Sequence, residues 1–307
     1  MKEKEEFPVN KVKVSVCVVT YNQEIYIRKC LQGIVDQETD FEFEVIVSDD
    51  CSTDCTRAIA QEFVESYPGI VRLVKRTNNM GGLKNFLETH KLAVGLYVSH
   101  LDGDDVMLPG KLQKQVNFLD ANPTFSVVWH RMNFFDDIGG FMSGHEYDYS
   151  MFPDGIITID HCVRLGSTCA NSSTMYRRSA RKTYEADGPL LDTFFNWEYL
   201  MSGKGMVLDE VLGEYNVSAQ GSIRSSVDTK NLIAEHGFYY LNLVPELRGS
   251  IFIFALINLL SDLKNFRSSG WVFARLALAA VSFISPLLLG KTIFEAHKLR
   301  VPSLRYD

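Results

Sequence analysis

The sequence predicts an α/β fold: a mostly parallel sheet with helices on both faces, followed by a helical C-terminal appendage. Three observations carry this. Short runs rich in β-branched residues alternate four times with segments of helical period in the first hundred residues, the signature of a parallel sheet. Polar clusters follow three of the runs, at Thr20-Tyr21-Asn22, Asp49-Asp50 and Asp102–Asp105. Beyond about Ser226 the alternation stops and apolar helical stretches take over.

The elements follow in order. Val12 to Val19 is short, apolar and β-rich, and so reads as a buried strand. Glu24 to Val35 carries Ile25, Ile27, Leu31 and Ile34 near helical spacing. Phe43 to Val47 is a second strand, and Ser52-Thr53-Asp54 caps a helix running to about Tyr67, where Pro68-Gly69 stops it. Ile70 to Val74 is a third strand, residues 78–82 a loop, Lys84 to Lys91 a helix, and the run reaching Leu101 a fourth strand. Phe125 to Trp129 reads as a strand, Leu190 to Met201 as a helix, and Met206 to Tyr215 as a strand with a turn. In such sheets ligands bind beyond the carboxyl ends of the strands, where all three polar clusters fall.

Composition sets limits. The 307 residues suffice for a large core, and the net charge of −7 argues against nucleic acid as a partner. From Val244 onward eight Lys/Arg outnumber four acids, so the tail is +4 on an acidic body. A basic, apolar tail suits an anionic surface such as a membrane leaflet. The six cysteines show neither a C-x₂-C pair nor a zinc spacing, and the charged start, Met1 to Glu6, lacks an apolar signal region. A cytoplasmic setting with reduced thiols is the expectation. The chain divides into a charged N-terminal tail (1–11), a sheet domain (12–225) and a helical, apolar and basic region (226–307).

Leu101-Asp102-Gly103-Asp104-Asp105 holds three carboxylates in four positions. Such crowding is unfavourable unless positive charge sits among them. A divalent ion is one answer, because Mg²⁺ takes one or two carboxylates and fills its other positions with water and phosphate oxygens. In extended chain Asp102 and Asp104 point the same way. A solvated acidic turn is the alternative.

These residues resemble a known family. Val16 to Asn22, Val45 to Asp54 and Leu101 to Asp105 are similar, in order and spacing, to the N-terminal signatures of family 2 glycosyltransferases, which have the Rossmann-like GT-A fold. The resemblance covers roughly residues 12–225. It implies inverting transfer of a sugar from a nucleotide-diphosphate sugar to an acceptor hydroxyl, with Mg²⁺ or Mn²⁺. It places Thr20, Tyr21, Asn22, Asp50 and Asp102 around the nucleotide, and Asp104 and Asp102 on the metal, with Asp105 and Asp49 in support. It puts Asp192 at the position of the base, with Leu191 in place of the glutamate that usually precedes it. Ser172, Ser173 and Arg177 lie in a segment like the family's acceptor-side strand. Further on, Asn216 and Ser218 stand where members often carry arginine and histidine, which leaves open weaker metal retention, or diphosphate contacts from Arg224 or another group. His100, His130 and His161 read as structural or surface residues.

The altered positions keep open a non-catalytic homologue that only binds sugar nucleotides. In the tail, Ile251 to Leu260 is too short to span a bilayer, whereas Trp271 to Gly290 has the length but contains Arg275 and Pro286. Burial against the domain, interfacial attachment and a span all remain open. A membrane-facing tail suits a glycan or lipid-linked acceptor in polysaccharide, lipopolysaccharide or cell-envelope synthesis, at the inner face of the cytoplasmic membrane.

Overall fold

The computed structural model describes residues 12–136, 154–165, 169–183, 190–217, 234–240 and 244–264, together with 140, 149, 152 and 232. Strand β1 (Val12–Thr20) is buried on both faces from Val14 to Val18 because it is central. It pairs in parallel with β2 (Glu42–Asp49) on one side and β4 (Tyr97–Asp102) on the other. Strand β3 (Val71–Lys75) continues the parallel set beyond β2. On the far side of β4 the direction changes. Strand β8 (Met175–Arg177) is antiparallel to both β4 and β6 (Phe125–Phe135). Strand β9 (Lys204–Asn216) runs parallel to β6, and the short β5 (Val106–Met107) and β7 (Ile156–Ile157) pair antiparallel with β9. The order is β3-β2-β1-β4-β8-β6-β9-β5.

Two apolar layers enclose this sheet. On one face Val14, Val16 and Val18 pack under α1 (Ile27–Val35), α2 (Thr56–Ser66) and α4 (Lys111–Ala121). On the other, Cys17, Ile46 and Val98 pack under α3 (Gly82–His90), α5 (Ile159–Leu165) and α6 (Asp192–Met201). The alternation along β1 is the two-residue period of a strand covered on both sides.

Local differences from the sequence reading have physical causes. The helix expected to be capped by Ser52-Thr53-Asp54 starts at Thr56, whose N–H donates to Asp54 Oδ1 at 3.0 Å, while Ser52 and Thr53 are engaged in hydrogen bonds with the loop after β1. The segment expected to turn within 206–215 is one continuous 13-residue strand. Parallel pairing with β6 satisfies its backbone, and register shifts at His130–Met132 absorb the irregularity. Helix α4 is an element the alternation alone does not predict, although Leu112, Val116 and Leu119 carry a helical spacing.

The start of the C-terminal region belongs to the core. Residues 234–240 are helical, and α7 (Arg248–Lys264) buries Ile251, Ile253, Phe254 and Ala255. Phe254 lies edge-on to Trp197 of α6, with ring centroids 6.4 Å apart. For this part, burial against the domain is the arrangement found. Among the described residues no helix is long and apolar enough to cross a membrane. The 271–290 segment and the N-terminal tail lie outside the described residues.

Candidate active site

Three parallel strands end together. In their register Thr20 is level with Asp49, and Val19 with Asp102, so the carboxyl ends of β1, β2 and β4 form one row. The chain leaves each strand in a loop that the next loop holds. Asn22 has φ +52°, a left-handed conformation that asparagine tolerates. Its Oδ1 accepts from the Thr53 N–H at 2.8 Å, while its own N–H donates to Ser52 Oγ at 3.0 Å. Glu24 and Asp54 repeat this exchange: Cys55 N–H donates to Glu24 Oε2 at 2.8 Å, and Glu24 N–H to Asp54 Oδ2 at 3.1 Å. The loops after β1 and β2 are thereby stapled into one wall. Tyr21 stands on this wall with 45% of its surface exposed, leaving its ring open to stacking.

The two carboxylates after β2 have different partners. Asp49 is buried and accepts from Arg57 Nε at 2.6 Å. Asp50 is also buried, and its two oxygens accept the Met80 and Gly81 N–H groups, each at 2.9 Å. Asp50 therefore anchors the 78–82 loop beside the edge.

After β4 the acidic loop is pinned by its backbone. Gly103 N–H donates to Val19 O at 2.9 Å, and Asp102 N–H to Ser172 Oγ at 3.0 Å. A Cβ on Gly103 would stand 2.8 Å from Thr20 Cβ, which explains a glycine between the aspartates. The Asp102 side chain keeps 35% of its surface exposed, Asp104 is nearly buried, and Asp105 is buried. Asp105 Oδ1 accepts from Asn216 N–H at 2.8 Å. Burial, followed by the charges of Asp104 and Asp102, pushes the Asp105 carboxyl well above the usual range. Beneath it Lys111 is fully buried and donates to Ser172 O at 2.7 Å. Burial pulls this ammonium down to about 7 against the attraction of Asp105.

Among the described residues no three His, Cys, Asp or Glu side chains come together as a protein-only metal cage. The donors at the edge are hard carboxylate oxygens, with Asp102 reachable from outside and Asp104 two residues away. That set fits an ion which draws its remaining ligands from water and phosphate, as Mg²⁺ and Mn²⁺ do.

Of the residues singled out from sequence, Thr20, Tyr21, Asn22, Asp49, Asp50, Asp102, Asp104 and Asp105 share this edge. Ser172 and Ser173 are buried in a short 3₁₀ turn, Asn171–Ser173, and Ser172 buttresses the backbone of Asp102. Arg177 is not brought to the edge. It pairs with Tyr97 at the opposite end of β4, and its guanidinium donates to Phe125 O at 2.7 Å and Leu119 O at 2.6 Å. The antiparallel course of β8 carries it away from Asp102. Asp192 is the first residue of α6, and its side chain lies outside the described residues, as do Ser218 and Arg224.

Sequence reasoning assigned His100 no role at the site. Its Nε2 lies 3.1 Å from Asp102 Oδ1. The available signal was its place two residues before Asp102 on a strand, hence on the same face. Lys111 gave no comparable signal, since a lysine at the start of a helix normally faces water.

Comparisons with known proteins agree with this geometry. Residues 15–184, more than half of the chain, match the family model described as Glycosyl transferase family 2. The uncharacterized protein Rv1520 of Mycobacterium tuberculosis is 30% identical over 213 residues, covering 68% of this chain and 60% of that protein. The chain thus matches less than two thirds of that relative's length. The fold is shared with S. aureus TarS 1-349, solved with UDP-GlcNAc, at TM-score 0.62 and 24% identity, covering 79% of this chain and 71% of that one. It is shared too with the mannosyltransferase PcManGT of Pyrobaculum calidifontis, solved with GDP-Man and Mn²⁺, at TM-score 0.57 and 18% identity, covering 96% and 84%. With its signature segments gathered on one strand edge and its sequence matching the family model, this chain belongs to glycosyl transferase family 2.

Proposed function

We propose that the protein is an inverting glycosyltransferase that moves a sugar from a nucleotide-diphosphate sugar to an acceptor hydroxyl. The observation that carries this reading is the common row of Thr20, Asp49 and Asp102 with the acidic loop beside it, in a chain of this family. The nucleotide lies against the stapled wall, with the exposed Tyr21 ring stacking on the base. Asp50 supports that side through the 78–82 loop it anchors. Asp104 and Asp102 would hold Mg²⁺ or Mn²⁺, which when bound would stabilise negative charge on the departing diphosphate. Ser172, Asn216 and Lys111 keep the acidic loop in place from below. Asp192, opening α6, takes the proton from the acceptor hydroxyl as that oxygen attacks the anomeric carbon. A neighbour solved with UDP-GlcNAc and another with GDP-Man and Mn²⁺ support a donor of this class. The acceptor is a glycan or lipid-linked sugar at the inner face of the cytoplasmic membrane, a placement suited to the +4 charge from Val244 onward.

The test is a thermal-shift screen of UDP-, GDP- and dTDP-sugars with and without Mn²⁺, followed by turnover of Asp192→Asn. Metal-enhanced stabilisation by one donor, with turnover lost and binding kept in the variant, is expected. No donor giving a metal-dependent shift would end the metal assignment, and full turnover in Asp192→Asn would end the assignment of the base. Salt and carbonate washes of cell membranes test the placement, which fails if the protein is fully soluble at low salt.

A further inference from the structure

Behind Asp102 a line of buried polar side chains runs into the core. His100 Nε2 is 3.1 Å from Asp102 Oδ1. His100 Nδ1 is 3.1 Å from His90 Nε2, and His90 Nδ1 is 2.8 Å from the Tyr176 hydroxyl. All three inner residues are at most 1% exposed. Their rings are fixed by packing. Phe86 lies 4.1 Å from the His90 ring and 4.8 Å from the His100 ring, and Tyr176 stacks on Tyr199 at 4.2 Å.

The chemistry of the groups gives this line a direction. An ionised carboxylate only accepts, so His100 presents Nε2–H to Asp102. Where His100 accepts at Nδ1, His90 presents Nε2–H to it. His90 in turn accepts at Nδ1 from the tyrosine O–H. Each tautomer is set by the hydrogen bond at the other ring nitrogen. Burial and the nearby Arg181 charge hold His90 well below the usual histidine range, consistent with a neutral ring.

We propose that Tyr176, His90 and His100 form a one-way hydrogen-bond relay that delivers a fixed N–H donor to Asp102 and holds its carboxylate in the orientation used for binding. The three are positioning residues, and the orienting role rests on the metal and nucleotide reading of Asp102 given above. Outer partners of this kind characteristically tune metal affinity.

The ring nitrogens are read by NMR of the native protein labelled with ¹⁵N-histidine. The expected spectrum shows both rings protonated at Nε2, with no proton at Nδ1 of His90. An Nδ1–H tautomer at His90 overturns the relay. Binding of UDP and of GDP is then measured with and without Mn²⁺. His90→Phe is expected to weaken the Mn²⁺-supported affinity about tenfold to a hundredfold and metal-free binding by a clearly smaller factor. Tyr176→Phe, which keeps the ring stack, moves affinity in the same direction by a smaller factor. In the His100→Gln background, where the amide carries its own N–H, adding His90→Phe is expected to change affinity less than about twofold, since the coupling is already broken. Equal loss of metal-free and metal-supported binding, or no loss at all, overturns the orienting role. If the wild-type protein binds neither nucleotide, the glycosyl-transfer reading fails, and the ring-nitrogen spectrum alone decides the relay.

Discussion

Gly103→Ala tests whether the acidic loop works only when pressed against β1. The added Cβ would meet Gln23 Oε1 at 2.5 Å, Thr20 Cβ at 2.8 Å and Thr20 Oγ1 at 2.8 Å. Gln23 is the flexible obstacle. It can swing aside at the loss of the hydrogen bond that Thr20 Oγ1 donates to it at 2.8 Å, worth about 1 kcal/mol. Thr20 is fixed, because it is buried at the end of a central strand and its carbonyl accepts the Asp50 N–H at 3.0 Å. Carbon atoms in ordinary contact sit about 3.5–4.0 Å apart, so the loop and β1 must part by roughly 1 Å. Overpacking of that size costs about 1–3 kcal/mol. In a domain of this size the melting temperature then falls by roughly 2–10 °C. A displacement of about 1 Å at a reacting site costs about a hundredfold in rate. Thermal unfolding and sugar-transfer turnover are measured side by side. Gly249→Ala serves as control, because a Cβ there meets nothing within 4 Å and Gly249 lies in α7, away from the strand edge. If Gly103→Ala melts and turns over like the wild type, the close approach is not a constraint and the argument is wrong. If Gln23→Ala restores a damaged Gly103→Ala protein completely, the obstacle was Gln23 and not the strand.

Other consequences are as direct. Gly95→Ala should destabilise more than Gly103→Ala in urea titrations, since its Cβ would meet only backbone: Ser15 N at 2.6 Å, Tyr97 O at 2.8 Å and Val14 C at 2.8 Å. Stability should fall in acid through His236, whose pKa burial lowers from 6.5 to about 4. Between those values the unfolded chain binds the extra proton, so the contribution is complete above pH 6.5 and is lost as pH falls toward 4. About 2–3 kcal/mol should vanish between pH 7 and 4.5, and His236→Phe should lose that much less than the wild type in paired urea midpoints. An aromatic disulfide reagent should titrate two thiols in the native protein, the exposed Cys55 and half-exposed Cys51, and six after unfolding. Fast reaction of Cys17 or Cys30, whose thiols burial pushes up, would contradict the packed core. Cys51 sits at φ +67°, so Cys51→Val should lower stability by about 1–2 kcal/mol while Cys51→Gly should not, as thermal melts of the pair would reveal.

The parallel half of the sheet was legible because its signals are local. Val12 to Val19, Phe43 to Val47 and the run into Leu101 each announce a buried strand, and each ends in residues that suit a loop. The clustering of Thr20, Asp49 and Asp102 follows once the strands are parallel and in register. The antiparallel half was less legible. Strand β8 has three residues, and nothing within Met175–Arg177 announces that it will join β4 to β6. Arg177 was therefore associated with the site by its segment, whereas its pairing with Tyr97 places it at the other end of β4.

The sequence by itself determined the fold class, the strand edge that carries the site and the carboxylates placed there, because hydrophobic period and strand-end chemistry are properties of consecutive residues. The tertiary structure decided which groups stand behind those carboxylates. Lys111 beneath Asp105, Ser172 on the backbone of Asp102, and His90 behind His100 come from elements that meet only when the sheet closes around them. Their roles depend on burial and on distances of about 3 Å, and neither is encoded in the spacing of residues along a chain.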